Sequence, residues 1–158
     1  MNIKQLTLVV PRRDGKVLLG MKKRGFGAGK WNGFGGKVEP GETIEGAAFR
    51  ELLEEVGLQA TTLKKHAITD FSFEGKEDEI LRVHIFSLDD FSGEPRETDE
   101  MRPSWYDEDK IPYEVMWVDD IHWFPKLLQN ETWNAKFHFS NDGNTILEKN
   151  FYPFEELS

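Results

Sequence analysis

Alternating apolar and polar positions predict most of the secondary structure of this chain as strands. Two such runs open the sequence, at residues 3–10 and 16–23, and the segment 11–15 between them has the composition of a turn. The pattern returns at residues 61–75, 79–90 and 102–109. Near the C-terminus, residues 135–151 predict a β-hairpin that reverses around Asn141-Asp142-Gly143-Asn144.

Two segments instead carry apolar residues at helical spacing. In the first, an apolar stripe runs from Ile44 to Val56, Thr43 suits the helix start, and Gly57 suits its C-terminal stop. The second, residues 119–129, opens with aspartates and holds Pro125 as an internal irregularity. Strands and helices alternate irregularly, so we expect residues 1–158 to form a single domain with a mixed, largely antiparallel α/β fold of the α+β kind.

The segment 24–37 is dense in glycine, with Phe, Trp and Asn interspersed. This composition predicts an irregular stretch that wraps around a bound group. It is not a Walker A loop, because no Gly-Lys-Ser/Thr follows at the required spacing.

The charge and composition of the chain argue against some classes of binding partner. The chain has 20 Lys and Arg against 29 Asp and Glu, a net charge of −9, which argues against binding the nucleic-acid backbone. It has no cysteine, no apolar run long enough to span a membrane and no signal-peptide pattern. We therefore expect a monomer without membrane or nucleic-acid partners in the cytoplasm, with a mitochondrial or nuclear share left open.

Three glutamates crowd the end of the first predicted helix. Glu51, Glu54 and Glu55 fall within an arc of roughly 100° at helical spacing, where like charges repel. A bound divalent cation would offset this repulsion, and carboxylates without His or Cys favour Mg²⁺, with Mn²⁺ as a substitute. Arg50, four residues before Glu54, can hold that side chain in place. The alternative is a solvated acidic helix face.

The wider spacing around these glutamates matches a known pattern. Gly36, Glu42, Arg50-Glu51-Leu52 and the run from Glu54 to Leu58 fit G-x5-E-x7-R-E-U-x-E-E-x-G-U at every fixed position. The chain thus resembles the Nudix hydrolases over residues 36–58. The resemblance implies a mixed β-sheet sandwiched between helices, a loop–helix–loop Nudix box, and metal-dependent hydrolysis of a phosphoanhydride. It implies catalytic roles for Arg50, Glu51, Glu54 and Glu55, and metal binding by the Gly35 carbonyl, Glu51, Glu54, Glu55 and Glu100.

The segments that flank the box, residues 18–38 and 99–120, resemble the branch of this family that hydrolyses oxidised purine nucleoside triphosphates. The resemblance implies a base pocket formed by Thr7, Phe26, Asn32, Phe71, Phe73, Leu81, Trp117, Asp119 and Asp120. It also implies that Lys22, Phe34, Gly35, Gly36 and Lys37 lie toward the sugar and phosphates.

Elementary chemistry supports such a pocket. Trp117 offers a stacking face for a purine, and Asn32 can donate and accept hydrogen bonds at once. Adjacent carboxyl groups in an apolar pocket resist double ionisation, so Asp119 and Asp120 could supply one donor and one acceptor. Other interpretations remain: Trp117 can be a core residue, the aspartates can cap the second helix, and Lys22 can be simply solvated.

We expect Mg²⁺-dependent hydrolysis of oxidised purine nucleoside triphosphates, of the 8-oxo-dGTP and 2-hydroxy-dATP class, to the monophosphate and pyrophosphate. Such an activity cleanses the nucleotide pool. The alternatives are a Nudix hydrolase for another substrate, such as methylated purine triphosphates including N6-methyl-dATP, dinucleoside polyphosphates or ADP-ribose, and a Nudix-fold binding module without catalysis.

Overall fold

A computed structural model describes residues 1–157 of the chain. The described residues form two α-helices, α1 (Ile44–Val56) and α2 (Asp120–Leu128), and a short 3-10 helix (Tyr113–Val115). The strands are β1 (Asn2–Arg13), β2 (Lys16–Lys22), β3 (Trp31–Asn32), β4 (Lys64–Phe73), β5 (Glu79–Leu88), β6 (Met101–Asp107), β7 (Trp133–Phe139) and β8 (Ile146–Tyr152). No helix within residues 1–157 has both the length and the apolarity needed to cross a bilayer.

The strands form one mixed sheet in the order β3-β2-β1-β5-β4-β7-β8, with β6 paired to β2. The β1–β5 and β4–β7 pairs are parallel, and the other pairs are antiparallel. The predicted mixed and largely antiparallel sheet is therefore confirmed.

The two helices pack on opposite faces of this sheet. Neighbouring residues of a strand point to opposite faces. Val9 and Phe86 belong to the buried cluster that contains α1, whereas Val10 and Ile85, each one residue away, belong to the cluster that contains α2. The predicted sandwich of a sheet between helices is confirmed, and each helix rests on a hydrophobic core of its own.

The turn between the first two strands is shorter than predicted. Strand β1 continues through Pro11 to Arg13, and the chain reverses at Asp14 and Gly15, whose φ angles are 53° and 76°. An Asp-Gly pair accepts these left-handed conformations readily, so two residues suffice for the reversal. Pro11 remains aligned with Leu88 at the end of the parallel β1–β5 pairing.

The expectation that residues 24–37 are wholly irregular is wrong for their second half. Trp31 and Asn32 pair with β2 as the short strand β3. Beyond them, Phe34 and Lys37 form isolated bridges to Val9 and to Leu6 of β1. Backbone hydrogen bonds anchor this half of the segment to the sheet, while residues 24–30 remain a loop.

Candidate active site

Helix α1 carries the glutamates of the box and packs against strand β1 of the sheet. The Thr43 side chain accepts a hydrogen bond from the Gly46 amide, and Gly57, with a φ of 77°, ends the helix by donating from its amide to the Leu53 carbonyl. Both ends were predicted from the sequence, because capping depends on local residue types. The buried face of α1 includes Ala48, Leu52 and Val56, so the carboxylates lie along its border.

Arg50 organises the acidic groups around this helix. Its guanidinium donates to both carboxylate oxygens of Glu42, from Nε at 2.7 Å and from Nη2 at 2.8 Å. It also donates to Glu51 at 3.0 Å, to Glu54 at 3.3 Å and to the Lys37 carbonyl at 3.1 Å. The predicted contact with Glu54 exists, but the strongest partner is Glu42, whose pKa falls to about 2 because of this hydrogen bond. Arg50 thereby fastens the loop before α1 to the helix.

Glu55 is the buried member of the acidic group, with 7% of its surface exposed. Its Oε1 accepts a hydrogen bond from the Gly35 amide at 2.8 Å. Its pKa is raised to about 8, chiefly by burial and also by the negative charges of Glu51 and Glu100, against the lowering effect of that bond. Burial likewise raises the pKa of Glu51. These carboxyl groups therefore lie close enough together to hinder one another's ionisation.

Gly35 lies so close to β1 that no side chain fits there. A Cβ at this position would stand 1.8 Å from the Thr7 carbonyl oxygen and 2.5 Å from its carbon. The close approach lets the Gly35 amide face Glu55 while the neighbouring Thr7 amide donates to the Gly36 carbonyl at 2.9 Å. Glycine at position 35 is thus what brings the glycine-rich segment, β1 and α1 together.

The predicted metal ligands are brought to one end of α1. Within residues 1–157, no three acidic or histidine side chains stand close enough, as placed, to hold a metal ion together. Two of the candidates, Glu51 and Glu54, are instead hydrogen-bonded to Arg50. All the donors are oxygens, and the carboxyl groups repel one another at short range, so the set fits a hard divalent cation.

Next to the acidic group lies a cavity of about 270 Å³. It is bounded by loop 23–30, by strands β1, β4 and β5, and by the start of α2. Most of the predicted substrate residues line it: Thr7, Lys22, Phe26, Asn32, Gly35, Gly36, Phe71, Phe73, Leu81, Trp117, Asp119 and Asp120. Glu55 lines it as well, so the cavity and the acidic group are continuous.

The structure places two predicted residues away from this cavity. Phe34 is fully buried in the core beneath α1, because its backbone pairs with Val9 and turns its ring inward. Lys37 is exposed; its carbonyl contacts Arg50, and its side chain does not line the cavity.

Asp119 and Asp120 are almost fully buried, with 4% and 2% of their surface exposed. Asp119 accepts a hydrogen bond from the Trp123 indole at 2.7 Å, and Asp120 Oδ2 has no partner among the described residues. Burial raises the pKa of Asp119; burial and then the charge of Asp119 raise the pKa of Asp120 well above its usual range. Although Asp119 precedes α2, its side chain does not cap the helix. The two carboxyl groups therefore resist being ionised together, and both line the cavity.

Trp117 forms an aromatic wall of the cavity. The Phe26 ring lies 5.0 Å from the Trp117 ring at an angle of 32°, and the Lys30 ammonium lies 5.1 Å from the ring centre. A Cβ at Gly27 or at Gly143 would stand 3.2 or 3.1 Å from the indole, so the loop and the β7–β8 turn both press on it. Both glycines have positive φ, 85° and 76°.

Sequence reasoning missed Gly27, Lys30, Trp123 and Gly143. Gly143 lay within the predicted hairpin turn, but its approach to Trp117 is a tertiary contact that no local pattern signals. Trp123 stands four residues after Asp119, the helical spacing at which side chains meet, and this signal could have identified it.

Three comparisons with known proteins bear on this site. A NUDIX domain model matches residues 4–127. The oxidized purine nucleoside triphosphate hydrolase of Danio rerio is 56% identical over 98% of this chain and 97% of its own length, and the one of Mus musculus is 55% identical over 89% of each chain. A crystal structure of a MutT protein from Bacillus halodurans superposes with a TM-score of 0.83 at 25% identity, covering 94% of this chain and 97% of that one. The domain match includes the acidic group and nearly all of the cavity lining.

Proposed function

The chain belongs to the Nudix family of hydrolases, and we propose that it hydrolyses oxidised purine nucleoside triphosphates to the monophosphate and pyrophosphate. The names of the two vertebrate relatives, which match nearly the whole chain, support this substrate class. Removing such nucleotides before a polymerase uses them would sanitise the nucleotide pool.

The observation that carries the proposal is the buried pair Asp119 and Asp120 beside Trp117 in an aromatic cavity. A purine needs a flat apolar surface for its ring and groups that read its edge. Trp117 supplies the surface, Asn32 supplies a donor and an acceptor, and the aspartates supply one of each. A triphosphate extending from this cavity toward Lys22, Gly35 and Gly36 would reach Glu55.

A proton shared by the aspartate pair would suit more than one oxidised base. 8-Oxo-guanine and 2-hydroxy-adenine present different donor and acceptor patterns along the edge that faces the pocket floor. Moving the proton between Asp119 and Asp120 exchanges the donor for the acceptor with no movement of the backbone. We propose that this exchange lets one rigid cavity accept both bases.

The acidic end of α1 would perform the hydrolysis. We propose that Glu51, Glu54, Glu55, Glu100 and the Gly35 carbonyl hold Mg²⁺, for which Mn²⁺ can substitute. Bound there, the cation would neutralise phosphate charge and make a nearby water more acidic. The oxygen of that water would form a bond to phosphorus while the bond from phosphorus to the bridging oxygen breaks; the bridging oxygen would leave with the departing phosphate group, and a carboxylate of the acidic group would accept the water's proton. Arg50 keeps Glu51 and Glu54 in position throughout.

The remaining expectations from the sequence are kept as proposals. We propose that the chain forms a monomeric enzyme of a single domain. We propose that it works in the cytoplasm without membrane or nucleic-acid partners, in keeping with its net charge of −9.

A substrate panel tests the proposal. With Mg²⁺ present, kcat/KM is measured for 8-oxo-dGTP, 2-hydroxy-dATP, N6-methyl-dATP, dGTP, ADP-ribose and diadenosine tetraphosphate, with detection of pyrophosphate and monophosphate. We expect the oxidised purines to exceed dGTP by at least about tenfold, which corresponds to about 1.4 kcal/mol. Equal rates on dGTP, or turnover of ADP-ribose or the dinucleotide alone, would contradict the assigned pocket, and no turnover of any compound would contradict catalysis itself.

A further inference from the structure

We propose that Thr98 is a positioning residue that fixes Glu100 relative to the carboxylates at the end of α1. The inference rests on the proposed function, because it concerns the same hydrolytic site. Glu100 comes from the loop between β5 and β6. The end of this loop and the first residue of β6, residues 96–101, are here called the strap. Glu100 thus joins the glutamates of α1 from a separate loop. To stay near them, this loop needs a fixed attachment to α1.

The hydroxyl group of Thr98 makes that attachment. Its Oγ1 donates a hydrogen bond to the Glu55 carbonyl at 2.9 Å. The same oxygen accepts from the amides of Glu100 and Met101, each at 3.3 Å, and the Thr98 amide donates to the Met101 carbonyl at 3.0 Å. One half-buried hydroxyl group therefore joins the backbone of one candidate metal ligand to the backbone of another.

Further hydrogen bonds hold the strap at both ends. The Arg96 amide donates to the Val56 carbonyl at 3.0 Å, which ties the start of the strap to the last residue of α1. The Lys23 amide donates to the Glu100 carbonyl at 2.9 Å, and the Lys23 side chain forms an ion pair with Glu97. Glu100 is thus bound through its amide to Thr98 and through its carbonyl to Lys23, the residue that follows β2, so both of its backbone polar groups are held.

The strap needs these attachments because the negative charge of Glu100 is repelled by the glutamates of α1. Glu100 is close enough that its negative charge acts on both Glu51 and Glu55. Like charges at short range repel, and an exposed loop that carries one of them would otherwise move outward. Thr98 and Lys23 oppose this movement, so that the Glu100 carboxylate stays within reach of a cation shared with α1.

A hydroxyl group is required because it donates and accepts at the same time. Valine has nearly the same shape as threonine but can do neither, and serine retains both functions. If Thr98 served only to end α1, its loss would change stability and leave metal affinity unchanged. If it positions Glu100, its loss would weaken metal binding by a folded protein.

The test measures the affinity of the full chain for Mn²⁺ in the absence of nucleotide. The EPR signal of free Mn²⁺ reports how much of the ion remains unbound. Changes to groups that support metal ligands typically weaken metal binding by about 10- to 100-fold, and we expect Thr98→Val to fall in this range. Thr98→Ser should remain close to the wild type. Thr62→Val, at an exposed threonine of another loop, is the matched control and should be unchanged. Thr98→Ala provides the same comparison if valine is not accommodated.

A double-mutant cycle shows whether the effect passes through Glu100. In a Glu100→Gln background, Thr98→Val should weaken Mn²⁺ binding no further, since the ligand that it positions is already lost. For the single variant, kcat at saturating Mg²⁺ should fall while KM for the nucleotide stays the same, because Thr98 does not itself line the base cavity.

Several results would overturn the inference. They are wild-type Mn²⁺ affinity in folded Thr98→Val, an equal loss in Thr98→Ser, or a fully additive loss in the Glu100→Gln background. A wild type that neither binds Mn²⁺ nor hydrolyses any nucleotide would overturn the proposed function, and the role of Thr98 with it. If the wild type binds Mn²⁺ and hydrolyses nucleotides, and Thr98→Val binds Mn²⁺ equally well, only the role of Thr98 would be overturned.

Discussion

Replacing Glu55 with glutamine should lower the hydrolytic activity and raise the stability of the folded protein. We expect kcat to fall by about 10²- to 10⁴-fold, the range for loss of a group that handles a proton or a metal-bound water. Glutamine has the same shape, and its Oε1 can still accept the hydrogen bond from the Gly35 amide. It has no charge to bury, so the metal-free variant should be more stable than the wild type at alkaline pH.

The size of the stability gain follows from the pKa of Glu55. Folding raises this pKa from 4.5 to about 8, chiefly through burial. Below pH 4.5 the carboxyl group is protonated in both the folded and the unfolded chain, and its full contribution to stability is present. As the pH rises toward 8 the unfolded chain is ionised first, and this contribution is lost. Each tenfold difference in proton affinity is worth about 1.4 kcal/mol, so the loss reaches about 5 kcal/mol above pH 8.

This difference is large beside the 5–15 kcal/mol that typically stabilise a domain. Urea unfolding of the wild type and Glu55→Gln at pH 5, 7 and 9 in EDTA measures it directly. The free energies of unfolding should be similar at pH 5 and should separate progressively in favour of glutamine toward pH 9. Added Mg²⁺ should stabilise the wild type more than the variant at pH 9, since binding to the folded state alone adds stability.

The matched control is Glu54→Gln, at a neighbouring carboxylate with 56% of its side chain exposed. Its stability should follow the wild type at every pH. The reasoning is refuted if Glu55→Gln is no more stable than the wild type at pH 9 in EDTA, or if its advantage does not change with pH. A wild-type kcat would refute the assignment of Glu55 to the hydrolytic site.

The remaining predictions concern the base cavity and its supporting glycine. Trp117→Ala should lower kcat/KM for 8-oxo-dGTP by roughly 5- to 150-fold, since stacking of a base on an aromatic side chain is worth about 1–3 kcal/mol; an unchanged value would exclude Trp117 as a stacking surface. Asp119→Asn should change kcat/KM for 8-oxo-dGTP and 2-hydroxy-dATP by unequal factors, because an amide cannot exchange a proton with Asp120, and two unaffected values would end the exchange hypothesis. Gly35→Ala should lose at least about 3 kcal/mol of unfolding free energy, because its Cβ would meet the Thr7 carbonyl; a variant with normal thermal stability would show that β1 yields easily there.

Helix α1 was predicted to within a residue at each end, because its signals are local. Thr43 and Gly57 are caps whose chemistry depends on neighbouring backbone groups only, and the glutamates follow helical spacing. The same local reasoning identified the acidic group, whereas the predicted residues that line the cavity came from the resemblance to the family. Their binding roles stay predictions until the experiments above are done.

The features that could not be predicted from the sequence depend on contacts between residues far apart in the chain. Phe34 was expected on the substrate side, yet two backbone hydrogen bonds to Val9 turn its ring into the core. The parallel pairing of β4 with β7 joins segments some sixty residues apart with no turn between them to signal it. Thr98 stood out in no pattern, because its importance lies in the backbone groups that it meets.

The separate cores on the two faces of the sheet have a consequence for how such a protein can evolve. The cluster around Ala48, Leu52 and Val56 supports the helix that carries the hydrolytic carboxylates, whereas Trp123 and Phe137 belong to the cluster on the other face, beneath the base cavity. A mutation of a cavity residue that packs on the α2 side, such as Phe71 or Phe73, leaves the packing of α1 intact. A lineage can therefore drift toward a new base by single substitutions, each inherited by an enzyme that still cleaves phosphoanhydrides. This separation offers a structural reason why one hydrolytic motif can accompany many nucleotide preferences.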